Sequence, residues 1–190
     1  MRIAFKEWAI VVDALGRGEQ IIILRKGGLS EERGGFQPEH SRFLLFPTQF
    51  HQQRESVLPA AQNRFGQIAA NFPEPFTLRL EFLAEVAAAW HLDSLAAAER
   101  LRGQHIWRDE VITERFERGK NKNIHALAVR VFRLSSMIEL PMSPAYGGCK
   151  SWVELEADVA SAGAIPVWSD DAFARMLDQV RAALELVEPA

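Results

Sequence analysis

Two apolar, β-branched runs open the chain, Glu7 to Leu15 (EWAIVVDAL) and Glu19 to Lys26 (EQIIILRK), with Gly16-Arg17-Gly18 between them. Glycines that reach positive φ between two such runs predict a β-hairpin. After a charged loop bracketed by Gly27-Gly28 and Gly34-Gly35, Arg42 to Phe46 (RFLLF) reads as a short buried strand ended by Pro47. Thr48 is placed to cap a helix through His51, Gln52 and Val57, which Pro59 must end or kink. Residues 60–76, with Gly66, Pro73 and Pro75, favour loop.

From Thr77 the apolar Leu78, Leu80 and Phe82 alternate with Arg79 and Glu81, the period of a strand. In the following AEVAAAW, alanine favours helix while the alternation of Val86, Ala88 and Trp90 favours strand, and strand is the reading adopted. Asp93 is expected to cap a helix over Leu95 to Leu101, closed by Gly103. Trp107, Val111 and Phe116 fit one helical face, and Ile124 to Leu134 (IHALAVRVFRL) is a second long strand. Ser169 caps the last helix, Asp170 and Asp171 meet the positive end of its dipole, and Phe173, Met176, Leu177, Val180 and Leu184 form its apolar stripe. These elements predict an α+β fold, with largely antiparallel sheet starting at an N-terminal hairpin and an amphipathic C-terminal helix.

The chain has 190 residues, 48% of them apolar, which suits one compact domain over 1–190. Any subdivision falls near residue 70, between a hairpin-and-loop part (1–70) and a strand-helix-strand part (71–190). The runs AIVV and IIIL are far short of the roughly 20 apolar residues that span a bilayer, and the first residues show no signal-peptide core. The expectation is a soluble, cytoplasmic protein without a membrane partner; no pattern speaks to oligomeric state. Its single cysteine, Cys149, forms no internal disulfide.

A formal net charge of -3 hides an uneven distribution. Residues 101–133 carry four more basic than acidic groups, and residues 134–190 carry six more acidic than basic. Most catalytic signatures are missing. The five histidines, His40, His51, His91, His105 and His125, show no HxH, HxxxH or HExxH spacing, and there is no CxxC, GxSxG, GxxxxGK or GxGxxG. No cofactor or metal is therefore expected. A Nudix hydrolase reading fails because Arg54-Glu55 is followed by no acidic pair. None of the five lysines has an acidic residue two positions before it, which disfavours a restriction-type nuclease core.

Three constellations remain. Glu39-His40-Ser41-Arg42, with His51 nearby in the chain, could supply a general base or a phosphate contact, or simply be a loop fixed by local hydrogen bonds. Arg115, Arg118, Lys120, Lys122, Arg130 and Arg133, interleaved with Trp107, Phe116 and Phe132, suit phosphate contacts with base stacking, or equally a solvated surface. In Tyr146-Gly147-Gly148-Cys149-Lys150-Ser151-Trp152, Lys150 could lower the thiol pKa, though Cys149 and Trp152 read better as packing residues entering the alternating WVEL.

In this order, FKEWAIVVDALGRGEQIIILRKGG, FQPEHSRFLLFPTQFHQ, HIWRDEVITERF and YGGCKSWVEL resemble the hallmarks of a bacterial family, domain of unknown function 1802, from Phe5 to Leu155. The resemblance implies no activity, substrate or cofactor. Through members fused to modules of restriction-type nucleases it implies a nucleic-acid context. Matching positions are Lys26, Glu39, His40, Arg42, His51, His105, Trp107, Arg115, Tyr146, Cys149 and Trp152. His105 to Trp152 is also similar to a small PUA-type or ASCH-type RNA-associated barrel, without the GxKxxE motif of ASCH domains.

The leading expectation is a nucleic-acid-binding or restriction-associated accessory protein, with DNA or RNA as partner and Arg115, Lys120, Lys122, Arg130, Trp107 and Phe116 as contacts. The alternatives are a hydrolase or nuclease-like enzyme drawing on Glu39, His40, His51 and Cys149, and a protein–protein interaction module. Lys26, Arg42, His105, Tyr146 and Trp152 complete the candidate site residues.

Overall fold

The computed structural model describes residues 1–26, 31–32, 35–36, 39–49, 54–148 and 150–185. Its strands are β1 (Ile3–Trp8), β2 (Ile22–Arg25), β3 (Glu31–Glu32), β4 (Gly35–Phe36), β5 (Arg42–Thr48), β6 (Thr77–Leu92), β7 (Ile124–Pro141), β8 (Trp152–Glu154) and β9 (Ile165–Pro166). Its helices are α1 (Ala9–Gly16), α2 (Pro59–Ala70), α3 (Leu95–Glu99), α4 (Asp109–Glu117) and α5 (Asp170–Glu185). The main sheet runs β2-β7-β6-β5-β1-β8, with β9 on β7, while β3 and β4 pair apart. Within the main sheet β1 and β5 are parallel and the other pairs antiparallel.

The N-terminal hairpin is corrected. Residues Ala9–Gly16 form a helix, and β1 and β2 pair with different strands. Helix α1 is buried at Ala9, Ile10, Val11, Val12, Ala14, Leu15 and Gly16, so it has almost no polar face to betray its period. A helix apolar all round and a buried β-branched strand look alike in sequence. Gly18 takes φ +73, yet serves a helix end. Glu19 N–H donates to the Ala14 carbonyl at 2.9 Å and Gly18 N–H to the Leu15 carbonyl at 3.0 Å, the paired bonds of a Schellman motif.

Gly16 itself faces a tight constraint, because a Cβ there would stand 2.2 Å from the buried Phe82 ring. Gly16→Ala is expected to lower stability by about 1–3 kcal/mol through overpacking, read as a lower urea midpoint. An unchanged midpoint would show that the Phe82 ring yields freely.

The helix expected after Thr48 does not start there; His51 and Gln52 lie outside the described residues, and Arg54–Ser56 form a single 3-10 turn. Strand β5 continues through Pro47 to Thr48, and Pro59, expected as a terminator, instead opens α2 at the position where its missing N–H costs nothing. The loop expected over 60–76 is accordingly helical as far as Ala70. Ser94 rather than Asp93 caps α3, its hydroxyl accepting from Ala97 N–H.

Strands β6 and β7 form the long antiparallel hairpin at the centre, with register shifts between Leu80 and Phe82 and between Val86 and Ala88. Both sheet faces are covered, which explains the unbroken RFLLF. Phe43 and Leu45 enter the larger core with Phe5, Ile23 and Phe82, whereas Leu44 and Phe46 enter a smaller one with Leu78, Leu83 and Tyr146. Helix α5 buries Phe173, Leu177 and Val180, with Met176 half-buried at the edge. Ser169 Oγ accepts from Ala172 N–H at its start.

The sheet curls until its ends meet. Arg25, at the end of β2, donates to the Lys6 carbonyl of β1 at 2.9 Å and to Ser151 Oγ, just before β8, at 2.7 Å. The outer edge of β2 is closed by side chains. Gln20 Nε2 donates to the Ile22 carbonyl and Arg115 to the Leu24 carbonyl, both at 2.7 Å, so carbonyls facing away from β7 are satisfied without another strand.

Candidate site at the mouth of the curled sheet

The curl gathers chemistry where β2 runs out at Arg25, β5 begins at Arg42 and β7 begins at Ile124. Arg25 is the hub. Its guanidinium lies 4.9 Å from the Phe5 ring centre and 3.4 Å from Glu7 Oε2. Glu7 is 1% exposed, and its other carboxylate oxygen accepts from Trp8 N–H at 2.8 Å. A carboxylate this buried needs cationic company, and Arg25 supplies it directly.

Beside Phe5, the half-buried Trp152 makes edge-type contacts with Phe5 at 4.6 Å, Phe43 at 5.0 Å and His40 at 5.0 Å. The enclosed Trp152 Nε1–H has no hydrogen-bond partner among the described residues. His40 Nε2 stands 3.8 Å from Glu39, and Arg42 pairs with Glu85 at 3.1 Å.

Lys26 anchors one side of the mouth. Its ammonium donates to the carbonyls of Phe116 (3.1 Å), Asn121 and Asn123 (2.9 Å), pinning the turn between α4 and β7. Partial burial lowers its pKa. The turn it holds carries Lys120 and Lys122, both exposed.

Behind this rim Arg115 sits with its guanidinium 4.9 Å from both the Trp8 and Trp107 ring centres. Burial pushes its pKa down to about 10, opposed by the nearby Glu7 charge, so it remains a cation at neutral pH. His105, tilted against Trp107 at 5.6 Å, is 5% exposed. Burial pushes its pKa down to about 4, with the Trp107 backbone acting the other way.

Several expected contacts therefore sit elsewhere. Trp107 and Phe116, expected to stack on bases, are 1% and 6% exposed and belong to the core. Arg115, expected on phosphate, is committed to the Leu24 carbonyl and two indoles. Arg130 reaches Asp170 and lies beside Phe132 and Phe173, tying α5 to β7. Tyr146 lies in the smaller core, its hydroxyl accepting from Glu156 N–H. The structure brings Lys26, Glu39, His40, Arg42 and Trp152 to one end of the sheet, whereas His51 and Cys149 lie outside the described residues.

Glu7, Arg25 and Ser151 were not among the expected site residues. The available signal was a charge pair at the border of each apolar run, Lys6-Glu7 and Arg25-Lys26. Among the described residues no group of three His, Cys, Asp or Glu could hold a metal ion, and no helix is long and apolar enough to cross a membrane.

Fold and site together define an α+β domain whose curled, mostly antiparallel sheet opens on a polar, aromatic-lined mouth. The chain belongs to the family described as domain of unknown function (DUF1802), whose model matches residues 4–179. No curated protein matches it. Among solved structures it is similar to ASCH from Zymomonas mobilis, with a TM-score of 0.41 and 13% identity over 93% of this chain and 92% of that one. A point mutant of the same protein gives a TM-score of 0.44 and 13% identity over 81% of this chain and 89% of that one.

Proposed function

We propose that this domain binds nucleic acid, with the phosphate chain passing over the mouth. The observation that carries the reading is the placement of two lysines. Lys150, beside the Ser151 that Arg25 holds, and Lys120, in the turn that Lys26 holds, are both exposed. Neither makes an ion pair among the described residues.

The rest of the basic stretch is neutralised. Of the eight basic residues in 101–133, Arg102, Arg108, Arg118, Lys122, Arg130 and Arg133 pair with Asp109, Glu110, Glu114, Glu117, Asp170 and Glu81. Arg115 is enclosed between indoles, which leaves Lys120. Within this stretch the charge available to a polyanion is therefore Lys120, at the mouth.

Two phosphate contacts on a single strand release counterions with a slope of log affinity against log salt of roughly -1.4, at about -0.7 per contact. Fluorescence anisotropy of labelled octamers between about 50 and 200 mM salt is expected to show this slope. Lys120→Ala with Lys150→Ala should remove most of it. Absence of binding at roughly 100 µM protein in the lowest salt, the weak end of non-specific affinity, would overturn the proposal, as would binding indifferent to the double substitution.

A further inference from the structure

We infer that the mouth takes one unpaired base against Trp152, so that its ligand is single-stranded nucleic acid. The inference rests on the nucleic-acid reading above and adds what part of the ligand is recognised.

The rings around Trp152 are inclined to it by 61° for Phe5, 81° for Phe43 and 80° for His40, so none of these three stacks parallel to the indole. The indole is half-buried and holds an enclosed Nε1–H without an acceptor among the described residues. Arg25 packs its guanidinium over the neighbouring Phe5 ring at 4.9 Å. A base offers the missing parallel partner, a flat π-face. A base held in a duplex presents only its edge, because its faces are stacked on its neighbours.

Charge suits the same ligand. Lys150 precedes the Ser151 that Arg25 holds, Lys120 lies in the turn that Lys26 holds, and Arg25 contacts the Phe5 on which Trp152 packs, so a strand crossing the mouth is expected to set phosphates toward both lysines with one base inward.

The test compares a thymidine octamer, a uridine octamer, a fully abasic octamer of equal phosphate number and a duplex of the same length. The abasic octamer is expected to bind about 5- to 150-fold more weakly than the thymidine octamer, the equivalent of one stacked base, with an unchanged salt slope. The uridine arm separates RNA from DNA. Trp152→Leu should make abasic and thymidine octamers bind alike. Should that variant fail to fold, Trp152→Phe keeps a ring in the core, and loss of the ligand-induced tryptophan quenching in it is then the expected reading. Equal binding of abasic and thymidine octamers, or a duplex bound at least as tightly, overturns the base site while leaving the polyanion reading in place. Absence of any binding in low salt overturns both.

Discussion

Replacing Arg115 by Ala is expected to destabilise the protein by about 4 kcal/mol, out of the roughly 5–15 kcal/mol that holds a domain of this kind together. Arg115 satisfies the Leu24 carbonyl at 2.7 Å on the outer edge of β2, and an unsatisfied buried carbonyl costs about 1–3 kcal/mol. Its guanidinium also faces two indoles at 4.9 Å each, and such contacts contribute about 0.5–2 kcal/mol apiece. Arg115→Met fills the slot between Trp8 and Trp107 without the donor, so it should lose about 2 kcal/mol, mostly the carbonyl. Arg115→Lys keeps a cation but loses the planar group that lies between the rings. Urea unfolding of the three variants checks the order. An Ala variant within about 1 kcal/mol of the parent, the worth of one ordinary hydrogen bond, would show that Arg115 does not guard this edge.

The same residue shows where sequence reasoning stops. Arg115 stands in a stretch with more basic than acidic groups, beside aromatics, and that composition suits phosphate contacts. Whether such a cation faces solvent or closes a strand edge depends on β2, whose Leu24 lies 91 residues away in the chain. Long-range partners decide this, and local pattern does not contain them.

Elements with one polar and one apolar side were legible. β6 alternates, β7 was placed correctly over its first half, and α5 shows its stripe at Phe173, Leu177 and Val180. α1 was not, because burial on every side erases its period. At the mouth, His40, Arg42, Lys26 and Trp152 stood out through family resemblance. Glu7 and Arg25 acquire meaning only once the curl brings β2 against β1. Gln20 is a comparable case, since its amide donates to the Ile22 carbonyl and accepts from Ile106 N–H, joining β2 to the segment before α4.

Acidification is expected to weaken the fold through His105, by about 3 kcal/mol in full. The imidazole is buried, and its Nδ1 has no hydrogen-bond partner among the described residues. Its pKa is pushed down to about 4 by burial, against about 6.5 in the unfolded chain. Between these values the unfolded state binds a proton that the folded state refuses, so stability rises with pH across the window. Above about pH 6.5 His105 is neutral in both states and its influence is constant. As pH falls the loss grows, and it levels off once the folded form also protonates near pH 4. A shift of about 2.5 units at 1.36 kcal/mol each sets the size. Asp109, whose carboxyl is held below its usual range chiefly by Arg102, favours the imidazolium weakly, and Arg115 opposes it. Surface carboxylates titrate in the same region, so the measurement compares the parent with His105→Phe, in which those groups remain. The difference between their unfolding free energies should change by about 3 kcal/mol between pH 7 and pH 4, the parent losing more. Parallel curves for the two proteins would mean that His105 is protonated as readily inside the fold as outside it.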